Sequence, residues 1–309
     1  MKRLAFALLL PLALGFTGIA AAQEKKVAKQ YPPKLEGAAV ETYKAVGDTK
    51  LNLYVYNPPG HKPSDKRAAI VFFFGGGWTN GSPQQFEEHC KHLASRGMVA
   101  MTADYRVGSR HQVKAVSCVA DAKSAIRFVR KEAARLGVDP NRIVAGGGSA
   151  GGHIAACTGV IRGFDESSED ASISSVPNAM ALFNPAVVLA AAPGLNNDNQ
   201  ERVASLKERM GVDPQALSPY HQVKQGAPPA IVFHGKADTT VPYATAELFA
   251  KAMTDAGNKC TLVGYEGQAH GFFNYGRAGN EYYEKTVKAL DEFLAGLGYI
   301  DGETKAAGK

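Results

Sequence analysis

Cysteine is scarce in this 309-residue sequence, with four residues at positions 90, 118, 157 and 260 and no CxxC pair or zinc-ligand spacing. That excludes a disulfide-built mini-fold and a zinc module. No HExxH motif and no clustered set of carboxylates occurs, which argues against a metal hydrolase, and His89-Cys90-Lys91-His92 is a weak metal candidate at best. There is no dense Lys/Arg block. The formal charge is +6, from 35 basic and 29 acidic residues, a surplus too small and too dispersed to argue for nucleic acid as a partner. Internal repeats and low-complexity tracts do not stand out. Hydrophobic residues at 45% and charged residues at 21% exclude intrinsic disorder and a multi-span membrane protein.

The amino terminus reads as an address. Lys2 and Arg3 precede an apolar run from Leu4 to Leu14, and small residues Ala20, Ala21 and Ala22 precede Gln23. This is the pattern of a signal peptide over residues 1–22, followed by a polar leader over 23–33. The apolar run is short and interrupted by Pro11, Gly15 and Gly18, so a stable membrane anchor is not expected after cleavage. The expectation is an exported protein, periplasmic or secreted. Export permits disulfides, and three full pairings of the four cysteines are open. Cys118 and Cys157, on helices expected to cover one sheet face, are the candidate bridge, against the alternative of four buried thiols.

From residue 34 onward, apolar runs alternate with helical patterns, as in a mostly parallel α/β sheet with helices on both faces. VETYKAV and KLNLYVYNP predict an edge hairpin. AAIVFFF, MVAMTADYR, RIVAGGG, MALFNPAV, PAIVFHG and CTLVGYEG predict further strands. Helices are expected over 84–96, from Val116 to Leu136, over SAGGHIAACTGVI, and over ATAELFAKAMTDAG and YYEKTVKALDEFLAGLG. Residues 193–228, rich in Pro, Asn and polar groups around NQERVASLKERM, predict a cap inserted over the carboxyl ends of the strands. One catalytic domain over 34–309 with that insertion is favoured over two independent domains.

GGGSAGG at 146–152 places Ser149 between a predicted strand and a predicted helix, with Gly147 and Gly151 two residues to either side. This G-x-S-x-G arrangement is a nucleophile elbow, whose strained turn needs minimal neighbours and thrusts the hydroxyl into open space. A serine hydroxyl needs a base, and the base needs an orienting acid. Of eight histidines, His270 in EGQAHGFF follows the last predicted strand and is the candidate base. His89 and His92 fall on a charge-rich helix and are expected to be solvated. His153 lies one turn past Ser149, along the helix. His61, His111, His221 and His234 sit in or beside loops and strands, where a local structural role is open. Asp238, in HGKADTTVP after the strand PAIVFHG, is the candidate acid. It is preferred over Asp198 and Asp213 in the cap, Asp255 on a helix, and Glu266, only four residues before His270. Asp104 in ADYR is expected to anchor its turn with Arg106. The backbone N–H groups of Gly76, Gly77 and Ala150 are the candidate donors to a developing oxyanion. Trp78, Tyr105, Phe272 and Phe273 flank this set and either line an apolar pocket or belong to the core.

FGGGW at 74–78, ADYR, GGGSAGG, HGKADTTVP and AHGF, in that order over residues 70–275, resemble the strand-end motifs of the α/β-hydrolase superfamily. Within it they are similar to hormone-sensitive-lipase-like and carbohydrate-esterase-like (acetyl xylan esterase-like) serine esterases. The resemblance implies an eight-stranded, mostly parallel sheet, a Ser149–Asp238–His270 triad and no cofactor. Phe74 departs from the pattern, because the family usually has a histidine there that braces the glycine loop. The implied activity is that of a carboxylesterase, and export together with the absence of a long exposed apolar surface favours short-chain acyl esters, acetyl foremost, of a small molecule or polysaccharide. Feruloyl or other aryl esters are the close rival. A prolyl-oligopeptidase-like peptidase and a non-catalytic hydrolase-fold binding module are the alternatives from other classes.

Overall fold

The computed structural model of the protein describes residues 31–195 and 200–301, apart from the side chains of 200–203. The expected signal peptide and most of the leader lie outside the described residues, as does Asp198. The strands are β1 (Ala39–Val46), β2 (Thr49–Tyr56), β3 (Arg67–Phe73), β4 (Val99–Ala103), β5 (Val138–Gly148), β6 (Ala179–Phe183), β7 (Ala230–Gly235) and β8 (Cys260–Tyr265). They form an eight-stranded sheet in the order β1-β2-β4-β3-β5-β6-β7-β8. The first two ladders are antiparallel and the other five are parallel. The helices in chain order are α1 (Glu87–Ser95), α2 (Gly108–His111), α3 (Ala115–Lys131), α4 (Ala150–Val160), α5 (Gln200–Met210), α6 (Pro219–Gln222), α7 (Tyr243–Asp255) and α8 (Glu281–Gly296).

Period-two alternation splits each central strand between two cores. On β3, Val71 and Phe73 face a core closed by α3, α4 and α7, while Ile70 and Phe72 face a second core closed by α1 and α8. α4 is buried at every position, which explains why its sequence reads as a near-continuous apolar run with glycines instead of an amphipathic stripe. Because β3 to β8 run parallel, their carboxyl ends share one edge. The chain switches direction across the sheet between β3 and β5, where ligand sites form in open α/β sheets.

Three expectations fail here. His89 is not solvated: it is fully buried in the α1–α8 core, with Phe72, Phe86, Phe183, Phe273 and Tyr283 rings centred 4.8–6.2 Å away. α1 sits beneath α8, so its second face is covered too. The Cys118–Cys157 bridge is also absent, although both residues occupy the expected neighbouring helices, and both thiols are free. Each is satisfied locally. Cys118 Sγ donates to Arg106 O at 3.1 Å, and Cys157 Sγ lies 3.3 Å from His153 Nε2. Burial raises both thiols above their ordinary range, which disfavours the thiolate needed for exchange. Arg106 is held by Asp121, through its backbone N–H and the Nε and Nη2 of its guanidinium, in the role expected of Asp104.

Burial, with a smaller contribution from His92, lowers His89 to about 3, and neither ring nitrogen has a hydrogen-bond partner among the described residues. Between that value and about 6.5 the unfolded chain binds a proton that the folded chain refuses, so stability rises with pH across this window. The unfolding temperature is therefore expected to fall as pH drops from about 6.5 towards about 4, with a shallower slope in His89→Leu. Thermal melts at stepped pH check this, and parallel slopes would contradict it.

Candidate active site

Ser149 follows the last residue of β5 and caps α4 with φ 54° and ψ −119°, a strained conformation for a residue with a side chain. The local sequence makes it possible. A Cβ on Gly147 would stand 2.5 Å from Gly151 O and 2.7 Å from Phe73 O, and one on Gly151 would overlap Phe73 O. Only glycines let α4 start this close to β3. Ser149 N–H donates to Phe183 O at 2.9 Å, which ties the elbow to β6.

His270 follows β8, Asp238 follows β7, and both reach the same edge. His270 Nδ1 lies 2.7 Å from Asp238 Oδ2, and His270 Nε2 lies 2.9 Å from Ser149 Oγ. A carboxylate only accepts, so Nδ1 carries the proton and Nε2 presents its lone pair to the serine hydroxyl. Asp238 is buried, and its other oxygen accepts from Thr240 N–H and Val241 N–H at 2.9 Å each. Burial alone would raise this carboxyl. Hydrogen bonds from His234, His270 and Val241 N–H outweigh it and hold the group well below the usual carboxylate range. His234 Nε2, 2.8 Å from Val241 O and 3.3 Å from Asp238 Oδ2, is a second imidazole donor that the sequence did not single out.

The glycine loop follows β3. Gly76 has φ 128°, its carbonyl accepts Thr79 N–H and Asn80 N–H at 3.1 Å, and a Cβ there would overlap Asn80 O. Gly77 (φ 62°), Ala150 and Ser149 line one cavity of about 440 Å³. Ala150 opens α4, so its N–H has no acceptor within the helix. Phe74, in the place of the usual histidine, is buried and stacks on Tyr105 with ring centroids 4.1 Å apart. Tyr105 O–H donates to Phe74 O at 2.6 Å, so a buried phenol braces the loop from below.

The four aromatic residues expected at the pocket divide. Trp78 lines the cavity. Tyr105, Phe272 and Phe273 do not: they are at most 5% exposed and belong to the two cores. Phe272 and Phe273 follow Gly271, whose φ of 74° turns the chain so that both rings pack below the sheet edge with Tyr265, Phe86 and Phe183. The cavity wall is mainly aliphatic, from Val188, Leu189, Leu195, Leu206 and Val241, with the polar groups of Ser205, Arg209, Thr240 and Thr245. The predicted cap thus contributes Gly194, Leu195 and part of α5 to the cavity that holds Ser149.

The remaining histidines have local partners. His61 Nε2 donates to Leu136 O, His111 Nδ1 accepts Val107 N–H, His221 Nε2 donates to Ala191 O, and His92 pairs with Asp291. His153 runs along α4 as expected and also has a function in packing. Its Nε2 donates to Leu217 O at 2.7 Å, and its Nδ1 accepts the Trp78 indole N–H at 3.0 Å. Asp213 caps a turn at Gln215 N–H, and Asp255 and Glu266 pair with Lys251 and Lys236.

A strained serine at a strand-to-helix elbow, in line with an imidazole and a buried carboxylate at successive strand ends, defines a serine hydrolase of the α/β-hydrolase fold. The chain belongs to the BD-FAE family, which matches residues 53–253. It is similar to the structure of a thermophilic esterase from Thermogutta terrifontis, with 55% identity, a TM-score of 0.85, and coverage of 90% of this chain and 98% of that one. Among curated proteins it is 32% identical over 237 residues to a probable isoprenylcysteine alpha-carbonyl methylesterase of Oryza sativa subsp. japonica, covering 72% of this chain and 54% of the other. It is 28% identical over 229 residues to Esterase LipC of Mycobacterium tuberculosis, covering 68% and 54%. The chain spans about half the length of these curated relatives.

Trp78 is the single tryptophan, so its fluorescence reads the His153 contact without interference. Burial, partly offset by the bond to Leu217 O, lowers His153 to about 4. Protonation there removes the acceptor for the indole. A change in Trp78 emission with a midpoint near pH 4 is expected in the wild type and absent from His153→Leu. That variant should also lose about 1–3 kcal/mol of stability, because the indole N–H stays buried without an acceptor. A titration unchanged by the substitution would contradict the contact.

Proposed function

We propose that the chain is a serine carboxylesterase that hydrolyses short-chain acyl esters, acetyl foremost, through an acyl-enzyme. The observation that carries this is the continuous line from Asp238 Oδ2 through His270 to Ser149 Oγ, at 2.7 and 2.9 Å. His270 takes the hydroxyl proton as Ser149 attacks the ester carbonyl. Asp238 keeps Nδ1 protonated and stabilises the imidazolium. The amides of Gly76, Gly77 and Ala150 receive the oxyanion, each worth about 3 kcal/mol of barrier. His270 then protonates the leaving alcohol, and in the second half-reaction it deprotonates the water that releases the acid.

The aliphatic wall supports a short alkyl acyl group over an aryl one. The feruloyl reading drew on Trp78, Tyr105, Phe272 and Phe273, of which Trp78 alone lines the cavity. Solved structures of the Thermogutta esterase with propionate and with butyrate bound give the short-acyl reading further support. The polar groups of Ser205, Arg209 and Thr240 in the lining suit a hydroxylated leaving group, and an acetylated saccharide is the substrate class proposed here. Export is part of the same proposal. Recovery of a mature amino terminus at Gln23 by mass spectrometry would support it, and retention of residues 1–22 in exported protein would not.

Ser149→Ala is expected to lower kcat on p-nitrophenyl acetate by at least about 10⁴-fold with the fold intact. Full turnover in that variant would overturn the mechanism. In a chain-length series, kcat/KM should be highest from acetyl to butyryl and fall at least about tenfold by octanoyl. Octanoate exceeding acetate would overturn the specificity.

A further inference from the structure

Gln85 lies between the two loops on which the proposed chemistry depends. It sits in a 3-10 turn, Pro83–Phe86, that leads into α1. The turn is anchored at both ends. Thr102 O–H donates to Pro83 O at 2.8 Å, and Phe86 is fully buried, stacked on Phe72 at 4.6 Å and on Phe273 at 5.8 Å. The Gln85 backbone therefore has little freedom, and its side chain reaches towards the site from a fixed base.

From there the hydrogen bonds run head to tail. Gly75 N–H donates to Gln85 Oε1 at 2.6 Å, and Gln85 Nε2 donates to Asn274 Oδ1 at 2.9 Å. Asn274 Nδ2 donates to Gly271 O at 2.8 Å, and Asn274 N–H donates to the same oxygen at 3.2 Å. Each amide accepts at one end and donates at the other, so the ends fix the polarity of the whole chain. One end is the first residue of the glycine loop, where a Cβ on Gly75 would stand 3.2 Å from Ser149 Cβ. The other is the residue after His270. Gly271 N–H is itself held by Asn184 Oδ1 at 2.8 Å, and Asn184 N–H donates to Phe233 O at 2.7 Å, so the histidine loop is pinned to β6 and β7 as well.

We infer that Gln85 and Asn274 form a positioning relay that sets the distance and orientation of the oxyanion loop relative to the His270 loop, in a protein whose Phe74 carries no hydrogen-bonding side chain. Neither residue touches the reacting atoms. They act through Gly75 and Gly271, and their effect falls on kcat, because the donors must be aligned to the oxyanion and not to the ground-state carbonyl. The inference rests on the esterase mechanism proposed above.

The test uses isosteric substitutions. Gln85→Glu keeps the acceptor for Gly75 N–H but faces the Asn274 oxygen with a carboxylate in place of a donor. Asn274→Asp keeps the acceptor for Gln85 but cannot donate to Gly271 O. Each is expected to lower kcat on p-nitrophenyl acetate by about 10- to 100-fold at about pH 8 with KM changed less than about twofold, a smaller loss than deleting an oxyanion donor outright. In Gln85→Glu the introduced carboxyl becomes a donor again once it is protonated, so the ratio of variant to wild-type kcat should rise as pH is lowered towards about 5. A purely structural role has no such signature. Gln85→Leu combined with Asn274→Leu should cost no more than the worse single change, since either one breaks the same relay. Thermal melts are run alongside to identify any variant that has lost its fold. If wild-type and variant kcat agree within about twofold, or if the two losses add fully, the relay is refuted while the esterase reading stands. A wild type inert on every ester would instead remove the mechanism on which the relay is built.

Discussion

Where α4 leaves β5, its backbone presses against the end of β3, and the molecule's chemistry is arranged around that contact. Gly147 and Gly151 permit it, since a side chain at either position would occupy the space of Phe73 O. The contact forces Ser149 into its strained conformation and brings Gly75 against the Ser149 Cβ and Gly148 O. The serine and the proposed anion-binding loop are therefore located by one backbone junction. β7 and β8 run parallel beyond it and deliver Asp238 and His270 to the same edge. Strain at the elbow, of order 1–3 kcal/mol, is sustained because the flanking sheet and the buried α4 leave the segment no alternative.

Electrostatic order at the site follows from which atoms can donate. Carbonyl and carboxylate oxygens fix the proton on His270, His234 and His153, and each ring then presents a defined second nitrogen or a shared proton to its neighbour. Asp238 stays ionised despite burial because four N–H groups converge on it: two from the backbone of its own turn and two from imidazoles. Trp78 stands at the wall of the cavity because His153, one turn along the nucleophile helix, holds its indole. Trp78 thus hangs from the same helix that presents Ser149.

Much of this was legible in the sequence, for identifiable reasons. Strand-end motifs are constrained by backbone geometry, so the glycines around Ser149 and in the FGGGW segment announce themselves. The order of Ser149, Asp238 and His270 follows from the order of parallel strands. Facing was harder to read. Phe272 and Phe273 lie beside His270 in the chain, but the left-handed turn at Gly271 sends them into the core, and no periodicity in a loop reveals such a turn. His89 looked solvated because its helix carries charges, but rings from β3, β6, the loop after His270 and α8, all distant in the chain, close around it. Cys118 and Cys157 do share a sheet face, yet a backbone carbonyl before α3 satisfies one thiol and an imidazole on α4 itself satisfies the other. Gln85 and Asn274 left no trace at all, since two amides 189 residues apart have no spacing to recognise.

The central claim is that Ser149 is the activated nucleophile and that His270 activates it across the 2.9 Å contact. Labelling with a fluorophosphonate, followed by peptide mapping, tests it most directly, because the reagent requires a nucleophilic hydroxyl and no assumption about the natural ester. A single adduct on Ser149 is predicted, formed rapidly by the wild type and lost in His270→Ala. An adduct on another residue, or equal labelling without His270, would contradict the account.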